Sequence, residues 1–255
     1  MAPGEPLLFC LLPLVVAASF KDTYENFRGP KVDFYMRTTW DGQKIDHDPI
    51  KLTIGRVNAT ETVVFVQAPY FEGLPAKGYE DTESIQLYFL GADRESYLLI
   101  EVNPHSQYRV QLYRGPGNSI RDQLPLEYWS VITGKFWQGS LRIPEAYYPP
   151  GMSRFNAYAQ HQHGDNTTYE ALFPVPKDKP QQFPQIPLLE YFDYLPREIL
   201  GPLRRPPSPY WNETTTETLK RLNHETHSNS LPGRAACAFV NVLLLALLVL
   251  LSSSR

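Results

Sequence analysis

Residues 83–113 leave this chain little choice of fold. They hold three runs of alternating character, 83–90, 97–102 and 108–113, separated by the turns Gly91-Ala-Asp-Arg-Glu-Ser96 and Asn103-Pro-His-Ser-Gln107. Alternation places Ile85, Leu87 and Phe89 on one face, and does the same for Leu98, Ile100 and Val102 and for Tyr108, Val110 and Leu112. Period-two runs broken by Gly, Asp, Asn and Pro form an antiparallel meander. The middle run is apolar on nearly both faces, so it belongs at the centre of a sheet with a second sheet over it. The expected fold is all-β, an antiparallel β-sandwich with at most one short C-terminal helix.

The same alphabet continues on either side. Strands are expected at 33–40, 50–54 and 62–68, with a loop over 70–82 that contains Gly73, Pro75 and Gly78. Further strands are expected at 124–133, 137–143 and 155–160, then a polar loop over 161–168 and a strand over 169–173. Residues 188–200 have helical spacing. With 13% aromatic residues and 24 prolines, the composition suits a turn-rich, strand-rich domain. The sandwich is placed at 31–201, preceded by a polar lead at 20–30, and no internal repeat is present.

Both ends read as targeting signals. Residues 1–19 carry a short apolar run ending in Ala17-Ala18-Ser19, the pattern of a cleaved signal peptide. At the other end, 202–232 is rich in Pro, Thr, Glu and Asn without an apolar period and reads as a disordered stalk. It leads into an apolar tail at 233–255 that ends in Ser-Ser-Ser-Arg. Small residues at Ser228-Asn229-Ser230, a spacer and a short apolar tail follow the order of a glycosylphosphatidylinositol (GPI) attachment signal, with Ser228 as the attachment residue. The alternative is a single membrane-spanning helix. Three Asn-x-Thr acceptors at Asn58, Asn166 and Asn212 fit an extracellular address. The two cysteines, Cys10 and Cys237, lie in or beside the terminal segments, so the domain between them has neither a disulfide nor a thiolate metal site. A formal charge of −3 without a basic block gives nucleic-acid binding no electrostatic support.

Motifs that carry chemistry are few. His161-Gln-His163-Gly-Asp165 offers two imidazoles at strand spacing and a carboxylate, a set able to hold a divalent metal; the competing reading is an exposed polar loop. Asp46-His47-Asp48 could orient His47 as a general base, or be a hydrophilic connection. Glu83 and Glu101 could approach as an acid/base pair. Glu101 interrupts an apolar strand, and Arg109 or Arg142 could be its structural partner. Nucleotide loops, Gly-x-Ser-x-Gly and His-Glu-x-x-His are absent, and no cofactor is expected. Aromatic residues at strand ends and in rim loops are the stronger clue: Trp40, Tyr70, Phe71, Tyr79, Trp129, Tyr147 and Tyr148. Flat rings suit sugars and protein partners alike.

Several short runs carry a resemblance. Thr39-Trp-Asp-Gly42, Gln67-Ala-Pro-Tyr-Phe71, Tyr97-Leu-Leu-Ile-Glu-Val-Asn-Pro-His105, Tyr148-Pro-Pro150, Arg154-Phe-Asn156 and Tyr169-Glu-Ala-Leu-Phe-Pro-Val-Pro176 resemble the uncharacterised family typified by the human chromosome-4 open reading frame 33 protein. The resemblance spans about 38–201 and brings no activity with it. The terminal segments depart from that family's compact chains, which puts an intracellular role in doubt here. More distantly, Glu83-Ser-Ile, Glu101-Val-Asn-Pro104, Trp137 to Pro144 and Phe155-Asn156 are similar to sandwiches of carbohydrate-binding module family 9. That resemblance implies a scaffold presenting aromatic rings to sugars, and it transfers no individual residue. The expectation is a glycosylated cell-surface module that binds an extracellular ligand, a glycan or a protein, without catalysis. A hydrolase or metal-dependent enzyme is the remaining alternative.

Overall fold

The computed structural model describes Tyr24 and residues 27–71, 83–163, 166–176, 189–200 and 208–211, the side chains at 162, 163 and 166 excepted. Thirteen strands run in chain order through them: β1 (Lys31–Met36), β2 (Thr38–Thr39), β3 (Ile50–Arg56), β4 (Glu61–Pro69), β5 (Ser84–Leu90), β6 (Ser96–Val102) and β7 (Tyr108–Arg114). They continue as β8 (Ser119–Arg121), β9 (Glu127–Thr133), β10 (Phe136–Pro144), β11 (Arg154–His163), β12 (Asn166–Ala171) and β13 (Asp193–Tyr194). One sheet has the order β1-β3-β4-β10-β9; the other runs β2-β12-β11-β5-β6-β7-β8, with β13 also paired to β11. All pairings are antiparallel, and the two sheets form a sandwich.

The alternation read from the sequence sets the register. Across β5, β6 and β7, Leu87 faces Ile100, which faces Val110. These residues and Phe89, Leu98 and Leu112 meet Leu52, Ile54, Val64, Val66, Leu141 and Ile143 of the other sheet in one buried cluster. Each such side chain is worth about 1.5–3 kcal/mol when fully removed from water, so this layer dominates the stability. The outer face of the meander is also buried, but by a different agent. Tyr88, Leu90, Tyr97, Leu99 and Tyr158 pack with Phe192 from the segment after the last long strand.

Several expectations are corrected. The strand expected at 33–40 breaks at Arg37, where the chain leaves one sheet and enters the other. The loop expected over 161–168 is strand at its described residues: β11 continues through His163, and His161 pairs with Thr168 of β12. Among the described residues of the stretch with helical spacing, Leu189–Tyr191 forms a 3-10 turn and only Arg197–Leu200 is α-helical, because Pro196 disfavours helical backbone at the residue before it. The polar lead is partly packed, with the rings of Tyr24 and Phe27 edge-on to Phe65. Within the stretch read as stalk, Trp211 is only 5% exposed and its indole N–H donates to the carbonyl of Tyr147. The packed domain therefore reaches Trp211.

Candidate functional site

At one end of the inter-sheet layer the apolar faces turn polar. Glu83 continues the inward face of Ile85 and Leu87, and His161 continues that of Ala157 and Ala159. Glu170 lies across from Ala159 and shares its face. Inward-facing positions on three adjacent strands thus end in two carboxylates and an imidazole. The chain crossing from β2 to β3 passes over this end, tied down by a bridge between Thr38 and Lys44 and by buried Ile45. That crossing delivers His47.

The four groups interlock. His47 Nε2 lies 2.8 Å from Glu170 Oε1, and His161 Nδ1 lies 3.4 Å from the same oxygen. The two imidazole rings stand edge to face at 5.1 Å. Phe71 lies flat on His161, with centroids 4.1 Å apart and planes within 8°. Glu83 holds the assembly from beneath, accepting the Phe71 amide at 3.1 Å and the Trp137 indole N–H at 2.7 Å. Trp137 belongs to the opposite sheet, so this carboxylate ties the two layers together. Burial, helped by the charge of Glu170, raises the Glu83 pKa to about 7 against the pull of its two donors. Beside Glu170, the His47 imidazole is held above its ordinary pKa.

His47 also fronts an open cleft of about 670 Å³. Its walls are the crossing 44–48, the end of β4 through Phe71, and Lys135-Phe136 at the start of β10. Tyr70 and Phe136 supply ring surface, and Phe136 is 38% exposed. Lys44, Asp46, Asp48 and Lys135 are exposed around them. The Tyr70 amide bonds to the Lys135 carbonyl at 2.8 Å, so two walls of the cleft are joined through backbone.

The structure sorts the residues singled out from sequence. Tyr70 and Phe71 line the cleft. Trp40 packs against the aromatic cluster outside the meander, and Trp129 packs beside Val63 and Phe65 on the outer face of the five-stranded sheet. Tyr147 and Tyr148 are each 3% exposed, a correction to their reading as rim aromatics. The first closes against Tyr210 and bonds to the Pro125 carbonyl; the second packs on Phe89. His161 joins His47 and Glu170. The His163 side chain and Asp165 lie outside the described residues, as do Tyr79, Asn212, Ser228 and the segment 1–19. Asn58 is exposed in the β3–β4 turn, where its Oδ1 accepts the amide and hydroxyl of Thr60. Asn166 opens β12 in the hairpin.

Two proposed pairings do not form. The carboxylate beside His47 is Glu170 rather than Asp46 or Asp48, and the His47 Nδ1 instead contacts the Asp48 backbone carbonyl at 2.9 Å. Glu83 and Glu101 point to opposite faces of their sheet, because Ile85 shares a face with Glu83 while Glu101 stands opposite Gln86. Glu101 accepts hydrogen bonds from Ser84 and Gln86 and has Arg109 as its cross-strand neighbour. Arg142 sits in the other sheet, paired with Glu61. Sequence reasoning missed Glu170 and Phe136. For Glu170 the signal was present: alternation along β12 makes it the one inward-facing carboxylate of that strand.

No protein-family model matches the chain. It is 36% identical over 184 residues to the UPF0462 protein C4orf33 homolog of zebrafish (Danio rerio), covering 67% of this chain and 92% of that relative. The mouse (Mus musculus) homolog is 34% identical over 192 residues, 70% of this chain and 98% of its own. The human (Homo sapiens) UPF0462 protein C4orf33 is 34% identical over 174 residues, 63% and 86% of the respective chains. Among solved structures, a candidate carbohydrate-binding protein from Bacteroides uniformis superposes with a TM-score of 0.48 at 11% identity, over 71% of this chain and 90% of that one. A carbohydrate-binding module of family 9 from Caldicellulosiruptor kristjanssonii, in complex with cellotriose, gives a TM-score of 0.41 at 12% identity, over 56% and 72%. No site residue is carried over from either.

Proposed function

Starting from the fact that the chain belongs to the UPF0462 family, we propose that it is a non-catalytic binding module on the outer face of the plasma membrane, and that it takes a glycan into the cleft at the end of the sandwich. The observation that carries this reading is the composition of the cleft. Two ring surfaces, Tyr70 and Phe136, stand among two carboxylates and two ammonium groups. A pyranose presents an apolar face of C–H bonds and a rim of hydroxyls, and such a cleft can stack the one and bond the other. The extracellular address is supported by the signal-like N-terminus, the GPI-like C-terminus and the three glycan acceptors.

The purified chain, displayed against a glycan array and then titrated calorimetrically with the best hit, tests the reading. Binding should occur, and Tyr70→Ala and Phe136→Ala should each weaken it roughly tenfold, the size of a lost stacking contact, with unchanged circular dichroism. An array without hits, together with a protein ligand captured at the same cleft and lost in the same variants, would replace the glycan by a protein partner.

A further inference from the structure

We infer that His47, His161 and Glu170 form a binding site for one first-row divalent transition-metal ion, placed where the buried end of the sandwich opens on the cleft. The ligand atoms of these three residues all lie within 4.8 Å of one another. Donors bound to one ion at about 2.0–2.2 Å in a tetrahedral or facial arrangement lie about 3.0–3.6 Å apart, so side-chain adjustments of about an ångström close the set.

The arrangement of the polar atoms favours an ion over a simple salt bridge. Glu170 is fully buried, yet among the described residues neither of its oxygens receives a hydrogen bond, and His47 Nε2 likewise lacks one. His47 Nε2 and Glu170 Oε1 approach to 2.8 Å without forming a hydrogen bond of ordinary geometry. The tautomer agrees. With Nδ1–H of a neutral His47 donating to the Asp48 carbonyl, Nε2 carries the lone pair and stands beside a carboxylate, which a cation between them turns from repulsive to attractive. Phe71 stacked on His161 fixes that ring.

The ligand set selects the metal class. Two imidazoles and a single carboxylate suit zinc, iron(II) or cobalt(II), whereas calcium and magnesium ask for more oxygen ligands. Three protein ligands leave coordination positions free. His47 lines the cleft, so a free position on that side would be open to a hydroxyl or carboxylate of a bound ligand. The metal site stands independently of whether the cleft takes sugar.

The test uses the full chain, produced without a polyhistidine tag in a secretory eukaryotic host and stripped with chelator. Titration with Co2+ and Zn2+, followed by the visible cobalt d–d bands and by elemental analysis, should give one bound equivalent. His47→Ala and His161→Ala should each weaken binding by at least about tenfold, the lower end of what even outer-shell partners contribute. His47 is on a partly exposed crossing, so its variant decides the matter if His161→Ala does not fold. As a second readout, Zn2+ should raise the melting temperature of the stripped wild type and leave that of His47→Ala unchanged. A stripped chain that takes up no stoichiometric cobalt or zinc would overturn the site, leaving Glu170 neutralised by protonated histidine alone. Equal binding by wild type and His47→Ala would overturn it as well.

Discussion

Glu83 shows how one inward-facing carboxylate shapes both stability and site. Both its donors, the Phe71 amide just past β4 and the Trp137 indole of β10, come from the side of the five-stranded sheet that faces it, and burial lifts its pKa to about 7. In an unfolded chain the group titrates near 4.5. Between those values the folded state keeps a proton that the unfolded chain has released, so folding stability falls as pH rises through that window. Above pH 7 the ionised group costs the fold up to about 3 kcal/mol. Glu83→Gln cannot ionise, though its amide can accept only one of the two donors properly, a loss of about 1 kcal/mol. In urea melts, wild type should therefore lose more stability than the variant between pH 5 and pH 8, by roughly 2 kcal/mol. Parallel pH profiles would mean that Glu83 is ionised throughout. Loss of the Glu83–Phe71 bond should also loosen the ring stacked on His161.

Elements in this chain are fixed by alternation, and their connections by a few backbone requirements. Gly151, just before β11, has φ +63°, and a Cβ there would come within 2.8 Å of the Ala92 Cβ in the β5–β6 turn. Gly151→Ala should therefore meet two penalties, about 1 kcal/mol for the left-handed backbone and a similar or larger one for the clash. Gly117 has φ +71° and nothing within 4 Å of its would-be Cβ, so Gly117→Ala should show the first penalty alone. Unfolding free energies of the two variants separate conformation from crowding; equal losses would show that the turn near Ala92 yields freely. The meander was legible because its turns are short and its inward residues uniformly apolar. The hairpin of β11 and β12 was not, because His161, Gln162, Thr167 and Thr168 are polar and only pairing with each other makes them strand. The site was hidden for a related reason. His161 was visible beside His163, but its partners His47 and Glu170 are brought to it by the crossing from β2 to β3 and by strand pairing, and no local spacing encodes either. Tyr147 and Tyr148 misled because a Tyr-Tyr-Pro-Pro run resembles a rim loop until Trp211 and Phe89 are seen to close on it.

At the scale of the molecule, a late tryptophan sets the boundary of the folded unit. Trp211 is buried in the main core cluster, its indole bonded to Tyr147 and its carbonyl to Arg114 at 3.0 Å. Trp211→Ala should cost about 3–5 kcal/mol, as loss of a large core side chain does. A chain ending at Leu200 should be less stable than one ending at Trp211 by a comparable amount, while residues beyond 211 should add little. Equal melting temperatures for the two truncations would place the domain boundary at 201 after all.

Beyond that boundary the sequence reads as a stalk and an apolar tail, and under the proposed extracellular address the tail would decide how the domain is held. A lipid anchor replaces the tail during processing, whereas a spanning helix keeps it. Cells expressing the full chain should release a glycosylated protein on treatment with phosphatidylinositol-specific phospholipase C, and that protein should shrink on removal of its N-glycans by an amount that falls stepwise in Asn58→Gln, Asn166→Gln and Asn212→Gln. Retention in the membrane, with an anchored control released in parallel, would assign the tail to a single helix. An unglycosylated product inside the cell would remove the extracellular address altogether. It would leave the cleft and the His47–His161–Glu170 cluster to be explained by an intracellular ligand, since both are built within the folded domain and neither draws on residues beyond Trp211.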